Sequence, residues 1–118
     1  MTGKLTTHVL DTAQGCPAAG MTIDLFRVDM TGERHHLKTV TTNADGRTDE
    51  PMLEGTAFQQ GIYELTFDVG PYFQSSQPTP NPPFLNRVPI QFGIADETSH
   101  YHVPLLVSPW SYSTYRGS

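Results

Sequence analysis

Two histidines near the end of the chain, His100 and His102, are separated by a single residue. Residues two apart on a β-strand point to the same face of the sheet. Neighbouring imidazoles can bind a metal ion, or one of them can transfer protons near neutral pH. An isolated pair of this kind is more often half-exposed on a polar face, so the spacing alone leaves both roles open.

Arg47 follows Asp45-Gly46, which is a strong turn signal. Its guanidinium can hold an anionic or carbonyl oxygen in a forked geometry that lysine cannot reproduce. A solvated turn arginine is the more common case. His8, in the segment "TTHVLD", is uninformative by itself, and the adjacent His35 and His36 are predicted to be solvated near a hairpin tip.

The last four residues are Tyr115, Arg116, Gly117 and Ser118. If they continue an edge strand, Tyr115 and Gly117 face one way, whereas Thr114, Arg116 and Ser118 face the other. Composition alone does not assign this tail a function.

Alternating polar and apolar residues predict short strands, and turn residues separate them. The predicted strands cover residues 4–11, 21–28, 34–42, 61–69, 86–94, 99–108 and 111–118, and Arg47 begins a further short one. Residues 70–77 allow at most two helical turns, and the proline-rich segment 78–84 is predicted to be a loop. About eight short strands indicate an all-β antiparallel sandwich or barrel, formed by one domain over residues 1–118.

Composition excludes several classes of protein. The net charge of −5 argues against nucleic acid as a partner, because phosphate binders present a basic face. Cys16 is the only cysteine, so an intrachain disulfide is impossible. We identify no signal peptide and no stretch of membrane-spanning length, and we therefore expect a soluble cytoplasmic protein with no membrane partner.

Four separated segments together resemble one family, the transthyretin-like proteins, and within it the branch that hydrolyses 5-hydroxyisourate. They are "LTTHVLDTAQGCPAAG", "TNADGR", "GIYELTFD" and "HYHVPLLVSPWSYSTYRGS", which span Leu5 to Ser118 in the family's order and spacing. The terminal Tyr-Arg-Gly-Ser is the most specific of these marks, because the hormone-binding transthyretins lack it.

The resemblance implies two four-stranded antiparallel sheets with one short helix. It implies a homotetramer, a dimer of dimers with its sites at the dimer–dimer interface. It also implies a small-molecule substrate, 5-hydroxyisourate, whose ring is opened to 2-oxo-4-hydroxy-4-carboxy-5-ureidoimidazoline. No cofactor or metal is expected.

The family's functional positions transfer to this sequence one by one. The resemblance places His8, Arg47, His102 and Ser118 in the catalytic set, and His8, Arg47, Tyr115 and Arg116 in the substrate-binding set. Either His102 or His8 would activate water, because a neutral imidazole can accept a proton. Arg47 would hold the substrate's oxygen-rich edge or the developing negative charge. Tyr115 would contact the planar ring, and Ser118 would orient a histidine or the water.

Three alternatives differ from this hypothesis in class. A small-ligand carrier would bind its ligand in a channel at the same dimer–dimer interface without catalysis, although such a channel would be more apolar. A metallohydrolase would use His8, His100 and His102 as zinc ligands. A structural sandwich domain would use its tail as a plain edge strand.

Overall fold

Two β-sheets face each other across an apolar core in this computed structural model, which describes residues 3–117. The strands are β1 (Lys4–Asp11), β2 (Cys16–Pro17), β3 (Thr22–Val28), β4 (Arg34–Thr41), β5 (Leu53–Glu54), β6 (Gly61–Asp68), β7 (Arg87–Ile94), β8 (His100–Val107) and β9 (Tyr112–Thr114). One turn of 3-10 helix, Gly55–Ala57, follows β5, and the α-helix α1 (Val69–Gln74) follows β6.

The first sheet has the order β4-β3-β6-β7 and is antiparallel throughout. The second has the order β2-β1-β8-β9, and the two-residue β5 also pairs with β1. These layers, with their single α-helix, confirm the predicted all-β sandwich. The second sheet adds two details: it has a fifth short strand, and β1 runs parallel to β8. Parallel neighbours need a long crossover, which the chain provides by building the first sheet between them.

The alternation along β1 sets which residues can form a site. Leu5, Thr7 and Val9 are buried in the core, whereas Thr6 and His8 are only partly buried on the other face. This division confirms the pattern predicted for the strand. The outward face of β1 therefore carries polar side chains beside the outward face of β8.

Two predicted strands are shorter in the structure. Arg47 does not begin a strand but makes one isolated antiparallel bridge with His8. The tail pairs with β8 only over Tyr112–Thr114, and Gly117 then makes a single bridge with His102. Pro51 follows Arg47 closely and has no amide hydrogen, which makes a longer ladder there unfavourable.

The predicted short helix is confirmed, since α1 has six residues. Of the helices described in residues 3–117, none has the length and apolar character needed to cross a membrane. His35 and His36 are both exposed, as predicted, and each lies beside a carboxylate.

Candidate active site

The parallel register of β1 and β8 brings a threonine between two histidines. Thr6 lies opposite His102 in the ladder, and Lys4 lies opposite His100. The Thr6 hydroxyl oxygen is 2.7 Å from Nε2 of His100 and 2.8 Å from Nδ1 of His102. The two imidazoles thus share a face, as their spacing predicts, and one hydroxyl connects them.

A tight turn places Arg47 beside β1, where it bridges His8. The Asn43 side-chain oxygen accepts hydrogen bonds from the amides of Asp45 and Arg47, at 2.9 and 3.2 Å. Gly46 adopts a φ of +74°, and a β-carbon there would lie 2.4 Å from the carbonyl oxygen of Val9. Only glycine tolerates both constraints, so Gly46 allows the turn to pack directly against β1.

His8 is held by the same turn. Its Nε2 lies 2.9 Å from the carbonyl oxygen of Asp45. A carbonyl only accepts hydrogen bonds, so Nε2 of His8 must carry a proton and donate it. This leaves Nδ1 as the nitrogen of His8 that is free to accept.

The tail closes over the second histidine. The Gly117 amide donates a hydrogen bond of 2.7 Å to the His102 carbonyl oxygen. A β-carbon at Gly117 would lie 2.7 Å from Cδ2 of the His102 ring, closer than side chains tolerate. Gly117 is therefore the residue that lets the tail lie flat against this imidazole.

We expect Gly117→Ala to lower kcat by about 10-fold or more while the fold survives, because the added methyl group must displace the His102 ring. An assay of turnover would measure the loss of kcat, and circular dichroism would show that the fold survives. Gly93→Ala is the matched control: Gly93 lies in β7 of the other sheet without a positive φ, and a β-carbon there would contact only Cδ1 of Ile62, at 3.4 Å. Undiminished turnover in the Gly117→Ala variant would show that the close approach of Gly117 to the His102 ring does not matter for activity.

Arg116 points away from the histidines. Its guanidinium carbon lies 4.0 Å from the centre of the Tyr101 ring, and its Nη2 lies 3.5 Å from the His100 carbonyl oxygen. Together with Thr114 it lines a separate cavity of about 230 Å³ between β7 and β9. Thr114 and Arg116 thus share a side of the tail and Tyr115 and Gly117 line the cleft by the histidines, as predicted, although Tyr115 also borders the cavity and Ser118 lies outside the described residues. The structure does not bring Arg116 together with the other predicted site residues.

A cleft of about 610 Å³ lies where these parts meet. The residues that line it and could bind a ligand include Lys4, Thr6, Arg47, His100, His102 and Tyr115. Tyr115 is 59% exposed, so its ring is free to contact a ligand. Asp49 and Glu50 also line the cleft, which is thus polar and carries both signs of charge. Such a lining suits an oxygen- and nitrogen-rich small molecule better than an apolar one.

His102 is the histidine whose acid–base behaviour the surroundings change. Partial burial lowers its pKa from the ordinary histidine value, and the positive charge of Arg47 lowers it further. Both effects favour the neutral form of the imidazole. Thr6 occupies its Nδ1, and no group in residues 3–117 is hydrogen-bonded to its Nε2. That nitrogen remains available to a water molecule or a substrate.

The structure brings four predicted site residues together: His8, Arg47, His102 and Tyr115. His8 contributes through its bridge to Arg47, and it does not line the cleft itself. Ser118 lies outside the described residues. Thr6 was not among the predicted site residues. The segment "TTH" places it near a strand histidine, and this position indicates a site residue only once β1 and β8 are known to be neighbours.

The residues of the metal alternative are not gathered around one point. The ring centres of His100 and His102 are 6.3 Å apart, and both rings already bind the Thr6 hydroxyl. Within residues 3–117, the one set of three potential ligands that lies close enough is Asp29, Glu33 and His35, all exposed in a hairpin. There the Asp29 carboxylate accepts hydrogen bonds from His35 and from backbone amides, as in an ordinary turn.

Known proteins resemble this chain along nearly its whole length. The chain is 59% identical over 117 residues to 5-hydroxyisourate hydrolase 2 of Rhizobium meliloti, covering 98% of this chain and 97% of that one. It superimposes on the crystal structure of (S)-allantoin synthase with a TM-score of 0.93 and 50% sequence identity. That match covers 99% of this chain but only 44% of the longer synthase chain. The structure of sea bream transthyretin in complex with thyroxine matches with a TM-score of 0.86 and 26% sequence identity, and the match covers 97% of this chain and 94% of that one.

The last of these similarities shows that the fold alone does not distinguish a hydrolase from a protein that binds thyroxine. The family assignment rests on sequence, since the profile of the HIUase/transthyretin family matches residues 5–117. The chain therefore belongs to the HIUase/transthyretin family.

Proposed function

We propose that the cleft described above is the active site of an enzyme that hydrolyses 5-hydroxyisourate to 2-oxo-4-hydroxy-4-carboxy-5-ureidoimidazoline. The observation that carries this proposal is that His102, whose pKa is lowered, and the cation Arg47 line the same polar cleft. Opening an amide-type ring bond needs an activated water, a stabilised oxyanion and a protonated leaving nitrogen. The cleft contains groups suited to each of these tasks.

His102 is the better candidate for the general base. It lines the cleft and its Nε2 is hydrogen-bonded to no described residue, whereas His8 does not line the cleft and its Nε2 already donates to Asp45. Nε2 of His102 would accept a proton from water as the water oxygen attacks the ring carbonyl. The same proton would then pass to the leaving nitrogen when the carbon–nitrogen bond breaks.

Arg47 would stabilise the negative charge that develops on the carbonyl oxygen during this attack. Its guanidinium offers two parallel N–H donors, which fit a carbonyl or carboxylate edge. Tyr115 would hold the planar ring by stacking or by its hydroxyl. We retain Ser118 as a group that orients the water or a histidine. Arg116, which the resemblance places in the substrate-binding set, contacts Tyr101, and we assign it instead to support of the tail.

A coupled assay tests the function. Urate oxidase would generate 5-hydroxyisourate from urate in the cuvette, and the intermediate's ultraviolet absorbance would be followed with and without this protein. We expect decay much faster than the spontaneous background, unchanged by a chelator because no metal is assigned to the reaction. Decay at the background rate would favour the carrier alternative, and ligand binding would then be measured instead.

The pH dependence of this reaction should show the lowered pKa of His102. Because the base must be neutral, activity is lost as pH falls through its pKa. The lowered pKa keeps His102 neutral below the ordinary histidine value of about 6.5. We expect the acid limb of kcat/KM to reach half its plateau below pH 6.5. A half-plateau at or above that pH would contradict the assignment.

The remaining proposals concern the protein as a whole. We propose that residues 1–118 act as one domain, in the cytoplasm, as a dimer of dimers with the cleft facing the dimer–dimer interface. The exposed edge strand β9 and the exposed rings of Tyr112 and Trp110 support an assembly, since such edges are commonly covered. Analytical ultracentrifugation would give the mass, with that of four chains expected.

A further inference from the structure

The hydroxyl between the two imidazoles constrains where their protons lie. Thr6 has a single hydroxyl hydrogen, yet its oxygen is within hydrogen-bond distance of Nε2 of His100 and Nδ1 of His102. It can therefore donate to only one of these nitrogens, and the other must carry a proton and donate to it. The tautomers of the two histidines are thus coupled through Thr6.

Water activation selects one of the two arrangements. A base at Nε2 of His102 needs its proton on Nδ1, so Nδ1 donates to Thr6. The Thr6 hydroxyl hydrogen is then available to Nε2 of His100, which accepts it when that nitrogen carries no proton. In the opposite arrangement Nε2 of His102 would carry the proton and could not accept one from water.

The surroundings of the two rings differ in how well they tolerate a positive charge. His102 is partly buried and lies near Arg47, so its protonated form is disfavoured. His100 is exposed at the start of β8, where water can solvate an imidazolium. A proton that leaves His102 along the hydrogen-bond chain therefore reaches a ring that water can solvate.

We propose that Thr6 is the positioning residue that sets the tautomer of His102, and that Thr6 and His100 form with it a proton relay. In the relay, Nε2 of His102 gains a proton from the attacking water while its Nδ1 proton moves to the Thr6 oxygen. The Thr6 hydroxyl proton moves at the same time to Nε2 of His100, which becomes an imidazolium. In the reverse direction His100 returns its proton to Thr6 and Thr6 returns one to Nδ1 of His102, while Nε2 of His102 gives its proton to the leaving nitrogen, so protons and charge balance without any co-reactant.

Kinetics of two Thr6 variants test the relay. The catalytic role of the relay rests on the proposed function. Thr6→Val keeps the shape and removes the hydroxyl, and we expect it to lower kcat by about 10- to 100-fold. Thr6→Ser restores the hydroxyl and should recover most of the loss. Thr12→Val is the matched control, because Thr12 directly follows β1 and its hydroxyl also donates to β8, at the Val107 carbonyl oxygen at the opposite end of that strand from His100 and His102. Retained kcat in Thr6→Val would overturn the proposal.

The number of moving protons separates a relay from a structural effect. Rates in mixtures of light and heavy water should curve for the wild type, since several protons move together, and should become linear for Thr6→Val. His100→Phe removes the final acceptor, and its loss should not add to that of Thr6→Val in the double variant. Additive losses or a linear wild-type plot would overturn the relay.

Imidazole ¹⁵N NMR of the full chain needs no substrate. We expect the wild type to carry the neutral His102 proton on Nδ1, and Thr6→Val to shift it towards Nε2. Unchanged ring shifts would overturn the role of Thr6 whatever the kinetics show. If the wild type fails to accelerate 5-hydroxyisourate decay, the proposed function fails and the catalytic role of the relay with it, whereas an Nδ1-protonated His102 would still support the tautomer assignment.

Discussion

Replacing His102 with alanine is expected to lower kcat by about 10²- to 10⁴-fold, the usual contribution of a positioned general base. His102 is the one ring in the cleft with a lowered pKa and an Nε2 that no described residue occupies. The coupled assay measures the loss, and circular dichroism checks that the sandwich persists. We expect the fold to survive, because the side chain lies on the outer face of β8 and not in the apolar core.

His35→Ala is the matched control for this variant. It removes an exposed imidazole that binds Asp29 in the β3–β4 hairpin, on the other sheet. Its turnover should equal that of the wild type. A folded His102→Ala protein with near-normal kcat would remove His102 from the mechanism and leave His8 as the base.

Replacing Arg47 with lysine is expected to lower kcat by about 10²- to 10³-fold, although the positive charge is kept. Lysine cannot reproduce the two parallel N–H donors, and its ammonium is a more strongly hydrated point charge. The backbone bridge of Arg47 with His8 does not depend on the side chain, so the turn itself should persist. Steady-state kinetics with the generated substrate would separate kcat from KM.

Arg34→Lys is the corresponding control. Arg34 pairs with Glu64 at 2.7 Å on the first sheet, away from the cleft, so this variant should keep normal turnover. A rise in KM with unchanged kcat in Arg47→Lys would show that Arg47 binds substrate and transition state equally. That outcome would contradict its role in stabilising the oxyanion.

Several features were predictable from local sequence because short-range physics determines them. The alternation in β1 places Leu5 in the core and His8 on the outer face. The Asp45-Gly46 turn demands a positive φ that glycine supplies, and it delivers Arg47 to its edge. The His100–His102 spacing puts both rings on one face of a strand.

Other features depend on which strands become neighbours. Nothing in the periodicity of β1 or β8 states that they pair in parallel across a separation of about ninety residues, and this pairing alone brings Thr6 to both histidines. The Arg116 side chain likewise turns to Tyr101 because the tail leaves β8 after Thr114 and returns only at Gly117.

The sequence by itself thus determined the strands, the turn that presents Arg47 and, through resemblance, the family and its reaction. The tertiary structure decided which nitrogen of each histidine is engaged and which residues share the cleft. The physical reason is that alternation and turn preference act over a few residues, whereas hydrogen-bond partners and charge environments depend on the register between distant strands.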